Sequence, residues 1–214
     1  MSSQPVPTLV LCADAWHPEE MIRQGLTALE APGFAFEFVT QGDRWSEAMM
    51  ESFRLVVVAK ANHVSAADRR PWLTAEKQAA FRQFVRKGGG LVALHGGVCY
   101  QELPDMRGVT GGAFLRHPDQ CPVTVVPQTG HPLTHGVRTF TVLDEHYCIE
   151  LDMPDTEVFL RSSSAHGIQP AGWLRREGTG RVLALTPGHH AGVWGQPDFQ
   201  TLLRNGLAWA AGDH

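Results

Sequence analysis

Three short apolar runs, Thr8–Ala13 (TLVLCA), Leu55–Ala59 (LVVVA) and Leu91–Leu94 (LVAL), most constrain the fold of this chain. None alternates with polar residues, which is the pattern of a strand covered on both faces. Helical periodicity separates them. Pro18 stands at a first helical position, and Met21, Ile22, Leu26 and Leu29 recur at helical spacing until Pro32-Gly33. Phe34, Phe36 and Phe38 alternate as a second strand would. Thr74 caps a further helix with Ala80, Phe81, Phe84 and Val85 as its apolar stripe, stopped by Gly88-Gly89-Gly90. Strands alternating with helices imply βαβ units and a parallel sheet with right-handed crossovers. The second half is less regular. Cys121–Val126, Thr139–Leu143 and Glu157–Leu160 read as strands. Trp173–Arg176 and Arg181–Thr186 read as a hairpin about Glu177–Gly180, and Pro197–Ala211 as a closing helix. The expectation is an α/β three-layer fold in a single domain over 1–214, with residues 1–7 as a flexible N-terminal tail.

Composition removes several functional classes. The net charge is −4, with no cluster of Lys or Arg, so no nucleic-acid surface is expected. No stretch approaches the roughly 18 apolar residues of a membrane-spanning helix, and the N-terminus lacks a signal peptide's basic and apolar regions. The four cysteines, Cys12, Cys99, Cys121 and Cys148, are scattered without CxxC spacing, as in a reduced cytoplasmic protein. Apolar loops and the final helix are compatible with a homodimer.

The eleven histidines carry the functional signal. In an open parallel sheet, ligands bind beyond the carboxyl ends of the strands. Just past those ends lie Asp14, Trp16 and His17, then Asn62 and His63, then His95-Gly96-Gly97, and finally Pro187-Gly188-His189-His190. Histidines from separate segments with a carboxylate bind Zn, Mn or Fe, or form acid–base pairs near neutral pH. Asp144-Glu145-His146-Tyr147 supplies the acids, with Glu145 a candidate ligand or general base. His95-Gly96-Gly97 forms a strand–turn–helix elbow presenting His95, with Val98-Cys99-Tyr100 opening a helix whose N-terminus could hold an anion or sugar oxygen. Cys99 is out of register for an elbow nucleophile, because Gln101 stands where a second glycine would be. Trp16, Tyr100, Tyr147 and Trp194 are aromatic faces suited to a sugar ring or to the core.

Gly88–Gly97 (GGGLVALHGG) resembles the GGGLVxLHG segment of ThuA-like proteins, the trehalose-utilisation family. The resemblance continues in order through Gly111–Pro118 (GGAFLRHP), His131–Thr134 (HPLT), Asp144-Glu145-x-Tyr147, Gly178–Val182 (GTGRV), Pro187-Gly188-His189 and Leu207–Ala210 (LAWA), spanning residues 8–211. It implies a class I glutamine amidotransferase-like, flavodoxin-like, mainly parallel sheet with helices on both faces, and His95 in place of the amidotransferase cysteine. It also implies catabolism of disaccharides and related glycosides by way of keto-sugar intermediates. His17, His95, His117, Asp144, Glu145, Tyr147 and His189 match the family's polar positions. His63 is less dependable, since many relatives lack a His there, and His131 and His117 each precede a proline that shapes a turn. Tyr100–Gly112 is shorter than in larger relatives.

Together these readings assign Glu145, His95 and Tyr147 to catalysis and Trp16, His17, His117 and Asp144 to a sugar-like substrate. His95, His189 and Glu145 are assigned to a divalent metal (Zn, Mn or Fe). Isomerase, lyase and hydrolase chemistry all fit. The alternatives are a non-catalytic carbohydrate-binding or regulatory module and an amidohydrolase working through Cys99.

Overall fold

The computed structural model describes residues 4–29 and 33–212. Its strands are β1 (Val6–Cys12), β2 (Phe34–Val39), β3 (Leu55–Ala59), β4 (Gly90–Leu94), β5 (Gly112–Arg116), β6 (Cys121–Pro127), β7 (Phe140–Asp144), β8 (Cys148–Leu151), β9 (Glu157–Ser164), β10 (Gly167–Glu177) and β11 (Gly180–Leu185). Its helices are α1 (Glu19–Thr27), α2 (Glu47–Met50), α3 (Ala75–Arg86), α4 (Pro104–Thr110), α5 (Ala191–Trp194) and α6 (Pro197–Ala211). Nine strands form one sheet in the order β2-β1-β3-β4-β11-β10-β9-β6-β7, and β5 with β8 makes a separate ribbon.

The apolar runs form the parallel half: β2, β1, β3, β4 and β11 pair in parallel. Their alternating side chains enter two cores. Val10, Val57, Val92 and Leu183 pack with residues of α1, α5 and α6. Leu9, Val56, Leu91 and Val182 pack with residues of α2, α3 and α4. Helices on both faces explain why these strands are continuously apolar. Thr74 caps α3 as expected, accepting a hydrogen bond from the Lys77 amide.

The sheet is not mainly parallel, however. From β11 outward, β10, β9, β6 and β7 pair antiparallel, so four pairings of eight are of each kind. The reversal begins at the Gly178-Thr179 turn between β10 and β11, since a two-residue connection cannot make the crossover that parallel pairing needs. Gly178 holds φ 60°, and a β-carbon there would collide with the Arg86 backbone.

Other boundaries move too. Val6 and Pro7 are not tail residues: they open β1, paired with Phe34 and Ala35 of β2. Pro18 is the residue before α1 rather than its first, and the expected helix end at Pro32 lies outside the described residues. No α-helix opens at Val98. A 3-10 turn covers His95–Val98 and Cys99 ends it, so no helix N-terminus is presented there. Among the described residues, no helix is long and apolar enough to cross a membrane.

Candidate functional site

Four strand ends converge on one point. β1 delivers His17, β4 delivers His95, β11 delivers His189, and β7 delivers Glu145. One ligand atom from each of these four side chains lies within 4.8 Å of the others. The turns that bring them there are constrained. His95 has φ 45°, a left-handed conformation costing a non-glycine residue about 1–3 kcal/mol. Gly97 makes this possible, because a β-carbon there would overlap the Val58 carbonyl.

Two of the imidazoles are fixed through Nδ1. His17 Nδ1 lies 2.8 Å from Asp14 Oδ2. The same carboxylate accepts the amides of Trp16 (2.8 Å), His17 (3.0 Å) and Ala61 (2.6 Å). His95 Nδ1 lies 2.7 Å from the Thr186 carbonyl. A carboxylate and a carbonyl can only accept, so both Nδ1 atoms carry hydrogen and, in the neutral ring, both Nε2 atoms offer a lone pair. This is how metal-binding imidazoles are oriented by outer partners.

Two of the converging nitrogens, His17 Nε2 and His189 Nδ1, are buried without a hydrogen-bond partner. Burial holds the His189 imidazole below its ordinary pKa, which favours the neutral, ligating form. Glu145 Oε2 lies 3.4 Å from His95 Nε2 and 3.3 Å from His189 Nδ1. Donors at the corners of a tetrahedral Zn site stand about 3.4 Å apart, given bonds near 2.1 Å. Three imidazole nitrogens and a carboxylate oxygen are a donor set for Zn²⁺, Mn²⁺ or Fe²⁺, with the Glu145 oxygen at the tetrahedral spacing from two of the nitrogens. Burial raises the Glu145 carboxyl, but while the neighbouring imidazoles are protonated, a hydrogen bond and charge from His95, with charge from His189 and His117, hold it down at about 2.

A cleft of about 490 Å³ opens onto this cluster, lined by Trp16, His17, His63, His117, Glu145 and Tyr147 among others. Trp16 is 53% exposed, with its ring 4.5 Å from that of His63. His117 Nε2 stands 3.5 Å from Glu145 Oε1, and its Nδ1 engages the Pro118 carbonyl at 2.7 Å. The Tyr147 hydroxyl is 2.9 Å from His95 Nε2, and burial raises its pKa well above the usual phenol value.

Of the residues expected from sequence, His95, His189 and Glu145 come together, and Trp16, His117 and Tyr147 border them. His17 does more than border the cleft: its Nε2 belongs to the cluster. Asp144 does not fit the substrate-contacting role expected of it. It is 1% exposed, and its two oxygens accept the Gly188 and His189 amides at 2.9 Å each, so it holds the loop that carries His189. His131 is remote from the cleft: it receives the Leu133 amide and stacks on Phe159. Burial pushes the Cys99 thiol up to about 12, against a hydrogen bond to Tyr147 that lowers it, which suits a packed thiol and not a nucleophile. Sequence reading missed the holding roles of Asp14 and Thr186.

Among curated proteins none matches the chain. In fold it is similar to a ThuA-like protein from Parabacteroides merdae, at 18% identity and TM-score 0.76 over 97% of this chain and 90% of that one. A ThuA-like protein from Bacteroides uniformis gives 19% and 0.75 over 98% and 93%. The β-galactosidase of Rahnella sp. R3 gives 16% and 0.68, over 94% of this chain and 30% of that one. The model of the family described as ThuA, trehalose utilisation, matches residues 9–210. With nearly the whole chain matched, this protein belongs to the ThuA family.

Proposed function

We propose that this chain is a metal-assisted enzyme acting on an uncharged sugar or glycoside derivative, with a divalent Zn, Mn or Fe held by His17, His95, His189 and Glu145. The observation that carries the reading is His17 Nε2, a buried nitrogen with a lone pair and no hydrogen-bond partner, converging with two further imidazole nitrogens on the Glu145 carboxylate. Burying such an acceptor unsatisfied costs about 1–3 kcal/mol, a cost that a ligated cation removes. When bound, such an ion supplies Lewis-acid polarisation of a substrate oxygen.

The chain's own residues do the rest. Trp16 offers an aromatic face at the cleft mouth for a pyranose ring. Among the described residues, no Lys or Arg lines the cleft, which favours a neutral polyol over a sugar phosphate. Glu145, whose Oε2 faces both His95 Nε2 and His189 Nδ1, is placed as a ligand rather than as a base. The proton-accepting role expected of it then falls to His117, whose exposed ring stands beside Glu145 Oε1 and can exchange its proton with solvent. Membership of a family described by trehalose utilisation supports the carbohydrate assignment.

The test is elemental analysis by mass spectrometry of protein purified without affinity tag or chelator, alongside His95→Ala and His189→Ala. About one ion per chain in the wild type, lost in both variants while they stay folded, is the expected result for a single four-ligand site. A wild type that is metal-free and takes up no added divalent ion refutes it. The cleft would then be that of a carbohydrate-binding module.

A further inference from the structure

We propose that the Tyr147 hydroxyl and the divalent ion compete for one lone pair, that of His95 Nε2, so that loading the site frees the hydroxyl as a donor facing the cleft. This rests on the metal reading above and adds to it a change in the protein on loading.

The two nitrogens of one imidazole impose the competition. His95 Nδ1 faces the Thr186 carbonyl at 2.7 Å and must carry the ring hydrogen. In the neutral ring Nε2 can then only accept, and the Tyr147 hydroxyl at 2.9 Å is its donor. A ligated cation takes the same lone pair. The two occupants are mutually exclusive, and loading must break the Tyr147–His95 hydrogen bond.

The phenol ring need not move when that happens. It is stacked on His95 with ring centroids 4.4 Å apart and packed against Phe114 at 4.3 Å, and it is buried. Rotation about the C–O bond alone redirects the hydrogen. Cys99 Sγ, at 3.7 Å, donates to the hydroxyl oxygen and leaves its hydrogen free, whereas the cleft that Tyr147 lines is where a substrate oxygen would sit. Without the ion, Tyr147 satisfies a buried acceptor. With the ion, it offers an unspent O–H beside the polarised group.

The experiment is metal binding alone, with no substrate: competition titration of Zn²⁺ and of Mn²⁺ against a chromophoric chelator, on wild type and Tyr147→Phe. Removing the competing donor makes Tyr147→Phe bind about two- to tenfold more tightly, the worth of one neutral hydrogen bond. A merely structural role for Tyr147 moves affinity the other way. A second measurement needs no variant: Zn²⁺ added to metal-free wild type produces a tyrosine ultraviolet difference spectrum, from loss of the hydrogen bond to His95, that saturates with binding. Wild-type binding with equal or weaker affinity in Tyr147→Phe, or with no tyrosine signal, overturns this inference and leaves the metal site standing. If neither protein binds an ion, both fall together.

Discussion

Asp14→Asn separates the chemistry of the Asp14 carboxylate from its shape. Both oxygens of Asp14 are engaged. Oδ1 accepts the Trp16 and His17 amides, and Oδ2 accepts the Ala61 amide and His17 Nδ1. Burial raises the carboxyl's pKa, but these hydrogen bonds and the His17 charge win and hold it at about 2, against an ordinary 3.8. The folded pKa is depressed, so the contribution is complete above 3.8 and is lost as pH falls through about 2. At about 1.4 kcal/mol per pKa unit, the ionised form contributes about 2 kcal/mol at neutral pH. An asparagine keeps the acceptor for one pair of donors but turns an NH₂ toward the other. If that pair is the Ala61 amide and His17, one buried amide is orphaned at about 1–3 kcal/mol, and His17 must switch tautomer to accept from the NH₂. The switch puts hydrogen on Nε2 and removes a ligand from the cluster. The expected outcome is a loss of about 2–4 kcal/mol in urea unfolding at pH 7, narrowing between about pH 4 and 2, with metal affinity about 10–100-fold weaker. An Asp14→Asn protein that loses stability yet binds metal as tightly as wild type would refute the tautomer switch.

Two further outcomes follow from the elbow. Gly97→Ala places a β-carbon onto the Val58 carbonyl, backbone against backbone, so neither side can yield cheaply. A loss of about 3 kcal/mol or more, read as a melting-temperature drop of roughly 6–12 °C, is expected. With the Cys99 thiol pushed up to about 12, iodoacetamide alkylation at neutral pH should be slow and should accelerate steeply in strong alkali. Cys99→Ser should retain wild-type metal binding, and a rapid reaction at neutral pH that tracks Cys99 would restore the amidohydrolase alternative.

How much of the fold can be read from the sequence depends on what each strand buries. β1, β3 and β4 stand out because helices cover both of their faces, leaving nowhere for a polar residue. The antiparallel half loses that signal. β10 contains Pro170 and two register shifts between Pro170 and Trp173 where it meets β9, so its pleat is interrupted where alternation would show it. β5 and β8, five and four residues long, pair only with each other and are too short for any period to emerge.

The site divides along the same line. Residues just past strand ends can be located by topology alone, which is why the positions of His17, His95 and His189 in the chain suffice to group them. Ring orientation cannot be read that way: strand-end counting locates Asp14 and His17 but not the bond between them that decides whether His17 contributes Nε2. The holding role of Asp144, by contrast, is legible in its spacing. In extended chain, successive side chains point to opposite sides. Glu145 and Tyr147 face the cleft, whereas Asp144 binds the Gly188–His189 amides and His146 sits between Ser162 and Ser164. Period two applied to Asp144-Glu145-His146-Tyr147 therefore separates two chemical residues from two structural ones. The structural pair then explains the chemical one: Asp144 ties the β7 end to the β11 loop, so that the Glu145 carboxylate and the His189 imidazole are held 3.3 Å apart before anything binds between them.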